Sequence, residues 1–362
     1  MENNKIRVGI TQGDVNGVGY EVILKTFEEP TIFEICTPIV YGSPKVAAYH
    51  RKAINSPTNF SIINSATEAQ DNRLNIVNCV DEEIKVELGK ATQEGGKSAL
   101  TALEKALHEY KEGLIDVLVT APINKNTIQS PSFNFPGHTE YIQERVGEGN
   151  KALMILMRDD LRVALVTGHI PVSQIASSLN KELIQEKLKI FEHSLRYDFG
   201  INKPRIAVLA LNPHAGDEGL IGKEEKEIIQ PALSELKNKG MLCYGPYPAD
   251  GFMGSGQFAK FDGILAMYHD QGLAPFKALA MEEGVNFTAG LPIVRTSPAH
   301  GTAYNITGKG IASESSFRQA IYTAIDVYRC RINEQEIHAH PLRKQYHEKR
   351  DDSDKLKLDA TE

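Results

Sequence analysis

Arg162-Val-Ala-Leu-Val-Thr-Gly-His169 is a short apolar run that stops at glycine and histidine, and its plan recurs at Arg205-Ile-Ala-Val-Leu-Ala-Leu-Asn-Pro-His214 and Asp262-Gly-Ile-Leu-Ala-Met-Tyr-His269. Such runs, bounded by turn residues and separated by longer amphipathic segments, read as strands of a largely parallel sheet flanked by helices. In open α/β sheets ligands bind outside the carboxyl ends of the strands. Three imidazoles delivered there suit a catalytic metal with an open position, since neutral imidazole is the commonest ligand for zinc and similar ions. A single strand-end histidine is more often a hydrogen-bonded structural residue. The recurrence moves the weight toward a site, while spacing alone leaves convergence open.

The rest of the chain keeps the same alternation. Apolar, β-branched runs at 6–10, 39–41, 117–120, 163–167, 206–211 and 264–267 read as strands. Between them, 97–111 reads as a helix, because Ala99, Leu100, Leu103, Ala106, Leu107 and Tyr110 recur at spacings of three and four. Segments 173–191 and 223–239 read the same way, the second interrupted by Pro231, which starts or kinks a turn. The expected fold class is α/β. A length of 362 residues suits two domains of ordinary size or one large divided unit.

Hydrophobic residues make up 41% and charged residues 24% of the chain, close to the globular average, and no apolar run is long enough for a membrane span. The opening Met-Glu-Asn-Asn-Lys-Ile-Arg-Val runs straight into a strand without the apolar core of a secretory signal, so a cytoplasmic protein is expected. Cys36, Cys79, Cys243 and Cys330 lack metal-type or redox-type spacing and read as reduced packing residues. The net charge of -7 comes from 40 basic and 47 acidic residues without a basic tract. That argues against a nucleic-acid partner, yet a local cluster of Lys, Arg and His can still hold a small anion. Residues 337–362 are dense in charge and poor in apolar side chains and read as a solvated tail, with His338 and His340 set aside as metal ligands.

Polar residues mixed with Gly and Pro follow several of the apolar runs, where α/β enzymes place working groups. They are Thr120-Ala-Pro-Ile-Asn-Lys125, Gly137-His-Thr-Glu140, Asn212-Pro-His-Ala-Gly-Asp-Glu-Gly219 and Tyr268-His-Asp-Gln-Gly272. Lys277, Asn286 and Arg295 form a donor set suited to phosphate or carboxylate. The glycine-rich Thr11-Gln-Gly-Asp-Val-Asn-Gly-Val-Gly-Tyr-Glu21 joins the first strand to a helix-like segment at 20–27. It reads equally well as an anion cradle at a helix amino terminus or as a tight turn without a ligand. Neither the Rossmann GxGxxG nor the Walker A pattern occurs, so any nucleotide is held by another design. Ser297 to Gly310 is a loop more elaborate than a connection needs.

Taken in order, GITQGDVNGVGYEV, TAPINK, PGHTEYI, VTGHIPVSQI, LNPHAGDEGLIGKEE, GPYPAD, LAMYHDQGLAPFKAL and GLPIVRTSPAHGTA resemble the 4-hydroxythreonine-4-phosphate dehydrogenase family of vitamin B6 biosynthesis, over almost all of residues 5–332. The resemblance implies two α/β/α domains with a central cleft, like isocitrate and isopropylmalate dehydrogenases. The first would take 1–135 plus 285–336 and the second 136–284. It implies that His169, His214 and His269 bind one divalent metal, zinc first, with magnesium, cobalt or manganese as alternatives. By the same resemblance His138 and Thr139 touch the substrate, and Lys277, Asn286 and Arg295 complete its site. The HGTAYNITGKG run is similar to the loop that holds the adenosine part of a dinucleotide, which implies His300, Gly301 and Asn305 as cofactor contacts and NAD, or NADP, as hydride acceptor. The family's site lies at the subunit boundary of a homodimer, the third histidine coming from the partner chain.

The reaction so implied is oxidation of 4-phosphohydroxy-L-threonine followed by decarboxylation to 3-amino-2-oxopropyl phosphate. Lys277 and Asp250 are the candidates for proton transfer, Lys277 first. Threonate or erythronate 4-phosphate are the alternative substrates. A metal-dependent hydrolase ranks below both, since there is no HExxH helix and the carboxyl-terminal loop would have no task. Where many family members read Gly-Asp-Pro-Ala-Gly-Ile-Gly-Pro-Glu, this chain has Gly13-Asp-Val-Asn-Gly-Val-Gly-Tyr-Glu21, and Ala299 stands where an acidic residue is common.

Overall fold

The computed structural model describes residues 5–81 and 83–339. Twelve strands form one continuous sheet. They are β1 (Ile6–Thr11), β2 (Cys36–Gly42), β3 (Phe60–Ile63), β4 (Leu74–Asn78), β5 (Val117–Thr120), β6 (Leu153–Arg158), β7 (Leu161–Leu165), β8 (Ile206–Leu209), β9 (Cys243–Tyr247), β10 (Gly263–Ala266), β11 (Val285–Ala289) and β12 (Val294–Pro298). Their order across the sheet is β3-β4-β2-β1-β5-β12-β11-β6-β7-β10-β8-β9. The pairs from β3 to β12 are parallel, as are those from β7 to β9. Between these blocks β11 runs antiparallel to both neighbours, and β6 and β7 form an antiparallel pair. The two parallel blocks therefore point in opposite directions. The α/β class is as read from the sequence, and the antiparallel seam in the middle is the departure from a wholly parallel sheet.

Helices cover both faces, so the inner strands are continuously apolar; every residue of β2, β5, β8 and β10 is buried. The helices used below are α1 (Gly19–Thr26), α2 (Gln93–Lys111), α3 (His138–Val146), α4 (Lys181–Tyr197), α5 (Gln230–Asn238), α6 (Ala249–Gly254), α7 (His269–Ala280) and α8 (Ser315–Ala339).

Helix boundaries depart from the sequence reading at several points, and at Pro231 they keep to it. Helix α2 starts a turn before residue 97, because Thr92 caps it by accepting the Gly95 amide at 3.1 Å, and its Gly96 sits directly against the Thr127 carbonyl, where a side chain would not fit. The segment at 173–191 is broken: Leu179 and Asn180 are extended, and the Asn180 side chain accepts the Leu183 amide at 2.8 Å to start α4. Around Pro231 a π-helical turn, Glu225–Ile229, precedes α5. Proline lacks the N–H that an uninterrupted α-helix would need there, and the wider turn absorbs the gap. Helix α8 continues to Ala339, so the start of the expected solvated tail is helical; His340 and the remainder lie outside the described residues.

Candidate active site

Strands β7, β10 and β8 are consecutive neighbours and parallel, so their carboxyl ends share one sheet edge. His169 follows β7, His269 opens α7 directly after β10, and His214 follows β8. The His169 and His269 rings stand 5.6 Å apart, centre to centre, within one chain. His214 lies apart, exposed on the Pro213–Gly219 turn. Among the described residues, no group of three His, Cys, Asp or Glu side chains is gathered tightly enough to hold a metal within one chain.

The donors that are gathered fit a divalent ion. Asp270 Oδ1 lies 2.7 Å from His269 Nδ1, which fixes that ring and leaves Nε2 free, the usual carboxylate-to-histidine support of a metal ligand. Lys125 Nζ donates to His169 Nε2 at 3.3 Å. Burial, and then the Lys125 charge, lower the His169 pKa and favour the neutral imidazole that ligation requires.

The turn carrying His214 is unusual. His214, Ala215, Asp217 and Glu218 all have φ between 43° and 57°, and Gly216 has φ of 79°. A left-handed backbone costs roughly 1–2 kcal/mol per non-glycine residue. Backbone held there against such a cost is characteristic of functional sites.

A cavity of about 470 Å³ opens beside His169. It is lined by His138 and Thr139 at the start of α3, by Lys277 in the last turn of α7, by Asn286 on β11 and by Arg295 on β12. All five residues expected at a substrate site are therefore brought together. His300 and Gly301 also line it, whereas Asn305 sits on an exposed turn and Asp250 on the exposed first turn of α6, both outside the lining. Thr120, Lys125, Glu140 and Lys187 complete the polar wall. Two of the clusters read from sequence contained the first three. Lys187 gave no signal, being one lysine among several on an amphipathic helix.

The charges in this cavity are unbalanced. Lys125, Lys187, Lys277 and Arg295 face a single carboxylate, Glu140. Arg295 is 2% exposed, and its guanidinium donates to Thr120 Oγ1 at 2.6 Å and to Thr288 Oγ1 at 3.2 Å. Among the described residues no carboxylate pairs with it. Burial brings its pKa down to about 10. His138 Nδ1 lies 3.3 Å from Arg295 Nη2, and burial, reinforced by Arg295 and Lys125, holds His138 well below its ordinary pKa as a neutral imidazole. Among the described residues, Asn286 Oδ1 and His300 Nε2 are buried without a hydrogen-bond partner. A desolvated cation without a counter-ion, next to unpaired polar atoms, is the signature of a site completed by a polar anion.

The glycine-rich turn before α1 is filled by the chain itself. Val18 N–H donates to the Thr302 carbonyl at 3.0 Å, Tyr304 O–H donates to Asp14 at 2.7 Å, and Glu21 accepts the amides of Gly308 and Ala312. An added Cβ on Gly17 would come within 2.9 Å of the Thr302 carbonyl oxygen. The glycines admit this loop, and buried Asp14 and Glu21 bind it by hydrogen bonds. Of the two readings of this segment, the turn without a ligand fits, and its task is to fix the 302–312 loop that runs on from His300.

A continuous α/β sheet with a cationic cavity beside its antiparallel seam defines the class, an α/β protein with a site for a small anion. The family model described as pyridoxal phosphate biosynthetic protein PdxA matches residues 34–324, and the chain belongs to that family. It is 72% identical over 362 residues to a 4-hydroxythreonine-4-phosphate dehydrogenase of Bacteroides thetaiotaomicron, covering 100% of both chains. It is 37% identical to a D-threonate 4-phosphate dehydrogenase of Cupriavidus necator over 87% of this chain and 95% of that one. The crystal structure of 4-hydroxythreonine-4-phosphate dehydrogenase from Klebsiella pneumoniae superposes with a TM-score of 0.78 at 31% identity, covering 90% of this chain and 99% of that one.

Proposed function

We propose that the chain is an NAD-dependent, metal-dependent 4-hydroxythreonine-4-phosphate dehydrogenase that oxidises 4-phosphohydroxy-L-threonine and releases 3-amino-2-oxopropyl phosphate for vitamin B6 synthesis. The observation that carries the reading is Arg295, a buried guanidinium with no carboxylate of its own. Together with Lys277 it supplies the charge for a phosphorylated acid, while His138 and Thr139 add neutral hydrogen-bonding groups. The unpaired Asn286 Oδ1 accepts from a substrate hydroxyl or amine. His169, His269 and His214 would hold a divalent ion, zinc first, which would supply Lewis-acid chemistry at the substrate hydroxyl. His300 and Gly301, on the cavity wall, would contact NAD, which would supply the hydride acceptor. Lys277 is the proton-transfer group of this reading; Asp250, on the exposed turn of α6, is the weaker candidate.

The same reading makes the protein a cytoplasmic homodimer with domains at 1–135 plus 285–336 and at 136–284, His214 being the ligand supplied by the partner. No helix of the described residues is long and apolar enough to cross a membrane.

The test is NADH production from 4-phosphohydroxy-L-threonine, with and without chelator, beside a His214→Ala variant. Turnover that chelation and the substitution both abolish supports the reading. Oxidation of D-threonate 4-phosphate instead would move the substrate to the acid without the amine, and no NADH with either would overturn the dehydrogenase assignment.

A further inference from the structure

Glu225 is a buried carboxylate, 1% exposed, that makes no ion pair among the described residues. Its acceptors are all spent on the segment that leads to His214. Oε1 takes the Leu211 amide at 2.9 Å and the Asn212 amide at 2.8 Å, and Oε2 takes Asn212 Nδ2 at 3.0 Å. The turn then folds back over the same carboxylate: an added Cβ on Gly216 would lie 2.6 Å from Oε2 and 2.9 Å from the Gly222 carbonyl oxygen. Glu225 also opens the π-helical turn before α5, so the irregularity at Pro231 sets the carboxylate beside the end of β8.

We infer that Glu225 is a positioning residue, which holds the left-handed turn of 214–218 so that the His214 imidazole is presented beyond the carboxyl end of β8 as a metal ligand. The inference rests on the proposed metal role of His214. A carboxylate that only filled a core position would have no reason to bind three donors just before a run of left-handed residues. Glu225 instead offsets the conformational cost of that run at its root, with charge-assisted hydrogen bonds in a dry site. Supporting groups of this kind commonly change metal affinity by about 10–100-fold when removed.

The experiment uses the full chain and cobalt(II) alone, reading dissociation constants by calorimetry and ligand geometry from the visible absorption of bound cobalt. Thermal melts are recorded in parallel. His214→Ala should weaken cobalt binding and alter its spectrum. Glu225→Met, which removes all acceptors at similar volume, should weaken binding by about 100-fold and move the spectrum toward that of His214→Ala. Glu225→Gln keeps one acceptor oxygen for the two backbone amides and should recover most of the affinity, to within about tenfold of the parent. If Glu225→Met does not fold, Asn212→Ala removes the side-chain donor alone and should give the intermediate loss. Binding and spectrum unchanged in Glu225→Met, or in Asn212→Ala if that variant must stand in, while His214→Ala is impaired, overturns the positioning role and leaves the metal site standing. An unimpaired His214→Ala overturns the ligand assignment itself, and the positioning role with it.

Discussion

Taking a guanidinium out of water without a carboxylate beside it costs several kcal/mol, and hydroxyl partners such as Thr120 and Thr288 return only part of that. Arg295 is therefore a group that the fold tolerates for a reason other than stability. Replacing it with methionine, similar in reach but uncharged, should leave the melting temperature equal or higher. The substrate KM should rise by at least about 100-fold, close to 3 kcal/mol, the upper range for a hydrogen bond to a charged group. Thermal melts and initial rates measure the two effects, and a clear loss of stability would show that Arg295 serves the fold instead. The residue was legible in the sequence only as one of a set, since nothing in Pro292-Ile-Val-Arg-Thr-Ser297 distinguishes a buried arginine from a solvated one. Lys187 was not legible at all, for its neighbours in sequence are those of any helix surface. Conversely, Asp250 was picked out by its local sequence, and the short α6 leaves it exposed.

At the scale of elements, apolar runs located β1, β2, β5, β7, β8 and β10, because an inner strand covered on both faces has no polar positions to confuse the pattern. Helix ends were less legible, since they depend on single side-chain hydrogen bonds. Asn180 is the clearest case. Its carbonyl oxygen caps α4 at 2.8 Å from the Leu183 amide, and the extended backbone at Leu179 and Asn180 breaks what the apolar pattern presents as one helix. Asn180→Ala should cost about 1 kcal/mol and lower the melting temperature by about 2 °C, with turnover unchanged. Thermal denaturation at fixed protein concentration tests it; no shift would mean that tertiary packing of Ile184, Leu188 and Phe191 alone holds the start of α4. The glycine-rich turn shows the opposite limit. Its sequence specified close backbone approach, but only the long-range contact with Thr302 and Tyr304 reveals what approaches.

The whole molecule reverses strand polarity halfway along one sheet, through β11 and the β6–β7 pair. That seam was not legible, because its central pairing, β11 with β6, joins residues far apart in sequence, such as Thr288 with Met154. Its consequence is that Arg295 stands at the seam while His169, His269 and His214 follow strands of the parallel block beyond it, and the cavity bridges the two, being lined by both Arg295 and His169. Of the three histidines, His169 and His269 meet within one chain. If the proposed homodimer completes the site with the partner's copy of His214, then a chain lacking His214 and a chain lacking Arg295 are each inactive alone yet complement each other. In the mixed dimer, the Arg295-bearing site of the His214→Ala chain receives an intact histidine from its partner, and the other site is doubly defective. Co-expression of His214→Ala and Arg295→Ala chains with different affinity tags, followed by two-step purification of the heterodimer, should therefore give about half the activity of the parent dimer. Were His214 to act within its own chain, neither site of the heterodimer would be whole and the activity would stay at the level of the single variants.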